Sequence, residues 1–173
     1  MKIYLIIILA IIAFVSCSPF SKDNLKQVDQ DLTLKEVLKN TDQYKGTTVL
    51  WGGTIIETIN RSGETLIIVL QTDLDYERRP GSIDQSEGRF IVKKTGFLDP
   101  EIYAKDRKIT VIGLVNGNED FPLGEIRYQY PVVKATQLIL WEKLENQAPY
   151  YDPWYWGPYP SWWNHYPYYH HRR

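Results

Sequence analysis

Apolar positions fall into three regimes along the chain. From Ile3 to Val15 thirteen apolar residues run without a break; from Asp31 to Gln147 they come in short runs split by Gly, Asn and Asp clusters; from Ala148 to Arg173 aliphatic side chains disappear and Tyr, Trp and Pro dominate. The middle regime predicts a fold. It opens on Thr33-x-x-Glu36, a capping box in which each side chain can serve the other's backbone donor, and Leu34, Val37 and Leu38 follow at helical spacing. One short helix is predicted, ending by Gly46. Beyond it, Thr47 to Ile59, Thr65 to Gln71, Arg89 to Lys93, Lys108 to Val115 and Glu125 to Trp141 are rich in Val, Ile, Thr, Tyr and Trp and predict five strands.

Turn chemistry joins these strands into hairpins: Asn60-Arg61-Ser62-Gly63 between the first two and Asn116-Gly117-Asn118 between the last two. Gly52-Gly53 predicts a bulge or sharp bend where one long strand serves two sides of a barrel. Asp99-Pro100-Glu101-Ile102-Tyr103 predicts a helical turn between strands 3 and 4. Ile126, Tyr128, Tyr130 and Val132 alternate with Arg127, Gln129 and Pro131, giving one buried and one wet face, with Pro131 at a sheet edge or bulge. The fold class is therefore all-β: a small antiparallel OB-like barrel with one short N-terminal helix and a helical turn between strands 3 and 4. A plain β-sandwich competes with it.

The first regime is an address. Thirteen helical residues reach only about 20 Å, short of a hydrocarbon core of about 30 Å, so the segment reads as a signal h-region. It ends at Phe14-Val15-Ser16-Cys17 and turns polar at once, a pattern that resembles a bacterial lipobox, with Phe14 in place of the usual Leu. Residues 1–16 are then a lipoprotein signal peptide, and Cys17 is the lipidation site, carrying covalent diacylglycerol and an N-acyl chain. Ser18 after the Cys favours the outer membrane by the same likeness. Residues 17–30 read as lipidated Cys and tether, with an extended reach of about 40 Å beyond Cys17. Lipidation makes the membrane the first expected partner.

Charge and composition mostly exclude. Twenty basic against 21 acidic residues leave a net charge of -1, which argues against a nucleic-acid partner. With one Cys and with His165, His170 and His171 all near the C-terminus, the 31–147 barrel domain has no internal disulfide, Cys/His zinc cage or His-based triad. No metal, further cofactor or catalytic residue is expected, and the chain reads as a non-enzyme.

A set of motifs in this middle, Trp51-Gly52-Gly53-x-Ile55, Gly88-Arg89-Phe90, Gly96-Phe97-Leu98-Asp99-Pro100 with Tyr103, Leu123-Gly124-Glu125, Tyr128-x-Tyr130-Pro131-Val132-Val133 and Leu140-Trp141, resembles the Slp family of outer-membrane lipoproteins. The resemblance covers about residues 30 to 142 in one order and extends to the lipobox and the aromatic tail. It implies an envelope lipoprotein associated with starvation or stationary phase, with a proposed part in acid or stress tolerance, and it brings no catalytic residues.

Three clusters remain. Asp73-x-Asp75-x-Glu77 reads as a solvated strand end rather than a Ca²⁺ site, lacking EF-hand spacing. Arg78-Arg79 reads as a surface charge network with Asp75 and Glu77, the other reading being a carboxylate or phosphate site. The tail, 148–173, holds seven Tyr, four Trp and five Pro and cannot build its own core. Its rings, among them Trp154, Trp156, Trp162, Trp163 and Tyr166, suit an interaction arm at a membrane interface or on a cell-wall or other envelope component; packing on its own barrel and loose metal uptake by a His/Tyr tract are the alternatives. The expected function is a non-enzymatic, lipid-anchored outer-membrane protein. The alternative is a binding module holding a saccharide, peptide or small molecule on the barrel face.

Overall fold

The computed structural model describes residues 20–143. The expected signal peptide over 1–16, the expected lipidation site Cys17 and the tail rings Trp154, Trp156, Trp162, Trp163 and Tyr166 lie outside the described residues.

The capping box forms as the sequence predicts. Thr33 accepts from the Glu36 amide and the Glu36 carboxylate accepts from the Thr33 amide, starting helix α2 (Leu34–Lys39); a 3-10 turn, Thr41–Tyr44, follows it. A shorter helix precedes it, α1 (Lys22–Lys26). Five strands follow: β1 (Thr48–Arg61), β2 (Glu64–Thr72), β3 (Arg89–Thr95), β4 (Lys108–Leu123) and β5 (Ile126–Leu140). They close into a barrel in the order β1-β2-β3-β5-β4, antiparallel except for the β3–β5 seam. This is OB-type topology. The interior is filled by alternate residues of every strand, among them Val49, Trp51, Ile55, Ile67, Val69, Phe90, Val92, Val111 and Val133, and Leu34 and Val37 of α2 join the same core.

Closure depends on β1 serving two neighbours. Gly52, Gly53 and Thr54 pair with β2 on one side and β4 on the other. A Cβ on Gly53 would lie 1.9 Å from the Leu70 carbonyl oxygen, which explains why this position has no side chain. The register shift itself falls two residues later, between Ile55 and Glu57. The expected helical turn is present: Tyr103 and Ile102 amides donate to the Asp99 carbonyl, while the Asp99 side chain accepts from Glu101.

Two expectations fail. Asn116-Gly117-Asn118 is no hairpin turn: β4 runs through it to Leu123, with a register shift between Val115 and Asn118, and the chain reverses at Gly124. Gly117 uses its positive φ to make that irregularity. Pro131 stands opposite Asn118 there, so the residue without an N–H meets the broken part of the ladder, although it is buried. The second failure is the tether. Phe20 is 3% exposed, the Ser21 and Asn24 nitrogens donate to Gln137 Oε1, and the Asp29 amide donates to the Thr48 carbonyl, so residues from Phe20 onward pack on the barrel. Polarity hid this segment, because α1 has no buried residue of its own.

Candidate functional site

An OB barrel usually offers its ligand the outer face of strands 2 and 3. Here that face is occupied by the chain itself. Beyond the barrel β4 and β5 continue as a two-stranded arm, pairing Asn118 to Leu123 with Ile126 to Pro131. Arm residues Phe121, Tyr128 and Tyr130 pack with Leu66 and Ile68 of β2, Ile91 of β3 and Ile56 and Ile59 of β1. Tyr130 meets Tyr128 and Phe121 edge to face, at centroid distances of 4.7 and 6.1 Å. Near the base of the arm, Glu119 accepts from Lys93 at 2.7 Å and Arg61 at 3.3 Å; Lys93 also reaches Glu64, at 3.5 Å, and Arg61 lies 5.3 Å over the Phe121 ring. The hydrogen bond to Glu119 holds the Lys93 ammonium above its usual pKa, against a smaller opposing effect of burial. The outward end of the arm departs from the expected alternation, with Ile126 exposed.

The long β2–β3 loop builds the second surface. Asp75 organises it: Oδ1 accepts from the amides of Glu77 and Arg79, and the Asp75 amide donates to the Arg79 carbonyl. The three carboxylates Asp73, Asp75 and Glu77 thus belong to a turn rather than one strand face. Among the described residues no group of three His, Cys, Asp or Glu converges as metal ligands.

The two arginines separate. Arg79 donates to the Glu142 carbonyl at 2.7 Å and lies 5.5 Å over the Trp141 ring, tying the loop to the end of β5. Trp141 in turn donates to Thr110, whose hydroxyl donates to the Arg78 carbonyl. Neither arginine forms an ion pair with Asp75 or Glu77, which corrects the expected charge network: Arg79 is drawn away to Trp141, and Arg78 is turned by a backbone φ of 65°.

Arg78 instead lines a cleft of about 330 Å³ with Val28, Gln30, Leu50, Leu74, Asp75 and Tyr76. Leu74 rests against Gly52, where a Cβ would come within 2.7 Å of it, so the paired glycines of β1 also let the loop lie close. Tyr76 stands at the cleft with its ring exposed, and its phenol is pushed above the usual value chiefly by the charge of Glu77. Lys108 holds the far side of the loop by donating to the Pro80 and Gly81 carbonyls. Of the seven lining residues, the sequence had marked only Asp75 and Arg78 as chemistry. Val28, Gln30 and Leu50 carry no local motif, and only the packing of the N-terminal segment on β1 brings the first two beside Leu50.

Comparison with known proteins places the chain. The family model of the outer membrane lipoprotein Slp family matches residues 14–169. The lipoprotein YeaY of Escherichia coli K12 is 29% identical over 131 residues, covering 74% of this chain and 66% of that one. Outer membrane protein Slp of the same bacterium is 27% identical over 124 residues, covering 69% and 65%. A Haemophilus influenzae protein is 39% identical over 95 residues, covering 54% and 51%. The matches therefore span just under two thirds of the two E. coli relatives and about half of the third.

Proposed function

This chain belongs to the outer membrane lipoprotein Slp family, and from that premise we propose that it is a non-enzymatic protein held on the outer membrane by acyl chains on Cys17, acting in starvation or stationary-phase stress. The observation that carries the non-enzymatic reading is the covered face. The surface where an OB barrel would take a polymer or saccharide is filled by Phe121, Tyr128 and Tyr130, and the interior is filled by its own apolar side chains. Cys17 and every His lie outside residues 20–143, so catalysis in this body would have to use carboxylates, lysines or hydroxyls alone.

Anchoring by two or three acyl chains, each buried methylene contributing about 0.8 kcal/mol, holds a protein on a bilayer effectively without release. The packing of Phe20 sharpens the consequence. Two residues, Ser18 and Pro19, separate the acylated Cys from the packed Phe20, a reach of about 10 Å over three Cα–Cα steps, so the barrel rides against the headgroups. The aromatic tail, with Trp154, Trp156, Trp162, Trp163 and Tyr166, is the arm for a cell-wall or other envelope component.

Cys17→Ser tests the anchor. The variant is expected to lose fatty-acid labelling and to keep its signal peptide. Normal labelling and maturation of the variant would refute lipidation at this residue.

A further inference from the structure

We propose that the cleft between the N-terminal segment and the β2–β3 loop binds a small zwitterion, its anionic group on Arg78 and its ammonium on Asp75. The two charges line one cleft and no ion pair joins them. The Arg78 side chain has no hydrogen-bond or ion-pair partner among the described residues, whereas the neighbouring Arg79 is fully engaged by Glu142 and Trp141. Asp75 commits Oδ1 to two loop amides, leaving Oδ2 free to accept. Opposite charges held apart on one wall match a ligand that carries both signs; a guanidinium fork suits a carboxylate or phosphate, and a carboxylate suits an ammonium.

The backbone at Arg78 adds an independent argument. Its φ of 65° lies in the left-handed region, where glycine is accommodated without strain and a long side chain is not. The turn itself therefore gives no reason for an arginine. A half-buried arginine lining a cleft does. Backbone strain of this kind concentrates at functional sites.

Size and lining set the ligand class. About 330 Å³ lies at the small end of ligand pockets and suits a small molecule. Val28, Leu50 and Leu74 offer an apolar wall, and the Gln30 carboxamide adds a donor and an acceptor. A free amino acid with an aliphatic side chain fits this set; phosphoethanolamine shares the charges and has a phosphate for its anion.

Two substitutions test the site without dismantling the loop. Arg78→Gly removes the guanidinium and relieves the positive φ; Asp75→Asn removes the charge and keeps the acceptor that caps Glu77 and Arg79. The full-length protein in a nonionic detergent is titrated by calorimetry with leucine and with phosphoethanolamine, and with acetate and ethanolamine as single-charge controls. At least one zwitterion is expected to saturate one site per chain, with each variant weakening it about tenfold or more and melting no lower than wild type. Which zwitterion binds identifies the anion. Absence of saturable binding by both, or undiminished binding by Arg78→Gly, overturns the site; undiminished binding by Asp75→Asn overturns the ammonium half, and with it the zwitterion.

Discussion

Trp51 joins the barrel core to the N-terminal segment, and replacing it measures that junction. Its ring is 6% exposed, stands 5.4 Å from Phe90 edge to face, and donates Nε1–H to the Leu32 carbonyl at 3.1 Å. Truncation of a buried Trp to Ala costs about 3 to 5 kcal/mol. The orphaned Leu32 carbonyl pushes Trp51→Ala toward the upper figure, since an unsatisfied buried acceptor costs about 1 to 3 kcal/mol. Trp51→Phe separates the contributions: it keeps an aromatic ring opposite Phe90, loses the donor, and should cost about 2 kcal/mol. Domains of this size have about 5 to 15 kcal/mol in total, so the Ala variant stands near its limit. Urea unfolding of the chain from Ser18 onward, followed by far-UV circular dichroism, reads all three proteins. A loss below about 1 kcal/mol for Trp51→Ala would refute the buried-ring account, and equal losses for Ala and Phe would show that the hydrogen bond, not the ring, carries the stability.

The arm and the tail supply two more tests. Glu119→Gln removes the negative charge shared by Lys93 and Arg61 while keeping one acceptor oxygen, and should cost about 1 kcal/mol because these side chains are only partly screened. The Lys93 ammonium has a folded pKa raised above its usual 10.5, so its contribution is complete below that pH and is lost as pH rises through the raised value. Wild type should therefore lose more stability than Glu119→Gln as the pH is raised from below 10.5 to above it in matched urea titrations, and parallel losses would remove Glu119 as the cause. Deleting residues 148–173 should shift barrel stability by less than about 0.5 kcal/mol while weakening attachment of an unlipidated chain to membranes or isolated cell-wall material. Unfolding after a truncation at 153 would make the tail part of the fold, and unchanged attachment would remove the arm.

What the sequence disclosed was whatever is decided by neighbours along the chain. The capping box of Thr33 and Glu36 and the five β-rich runs all formed, because capping, turn chemistry and alternation act over a few residues. Asn116-Gly117 misled for the same reason: the pair suits a two-residue turn or a bulge, and only its pairing across β5 decides between them. The N-terminal segment was misread because a polar stretch can be ordered by partners far away, here Gln137 and Thr48. The cleft was hardly legible at all. Asp75 and Arg78 could be singled out as charges, but their separation, the diversion of Arg79 to Trp141 and the arrival of Val28 from outside the barrel are tertiary facts.

The barrel's seam has a consequence in time. β1, β2 and β3 form a meander of near neighbours, and β4 with β5 forms a hairpin, so each can assemble from local contacts. Joining them requires β1 to find β4 some sixty residues away, and β3 to meet β5 in parallel through only three pairs, Ile91 with Val132, Val92 with Val133 and Lys93 with Lys134. Loop closure over such spans precedes any reward from contact, which makes barrel closing the slow event of folding. Until it happens the edges of β3 and β5 stand open as templates for other chains. The arm bears on the same seam: in the folded barrel Tyr130 and Val132 bury against Leu66, Ile68 and Ile91 on the outer surface, so the contact that covers this face also fastens β5 beside β3.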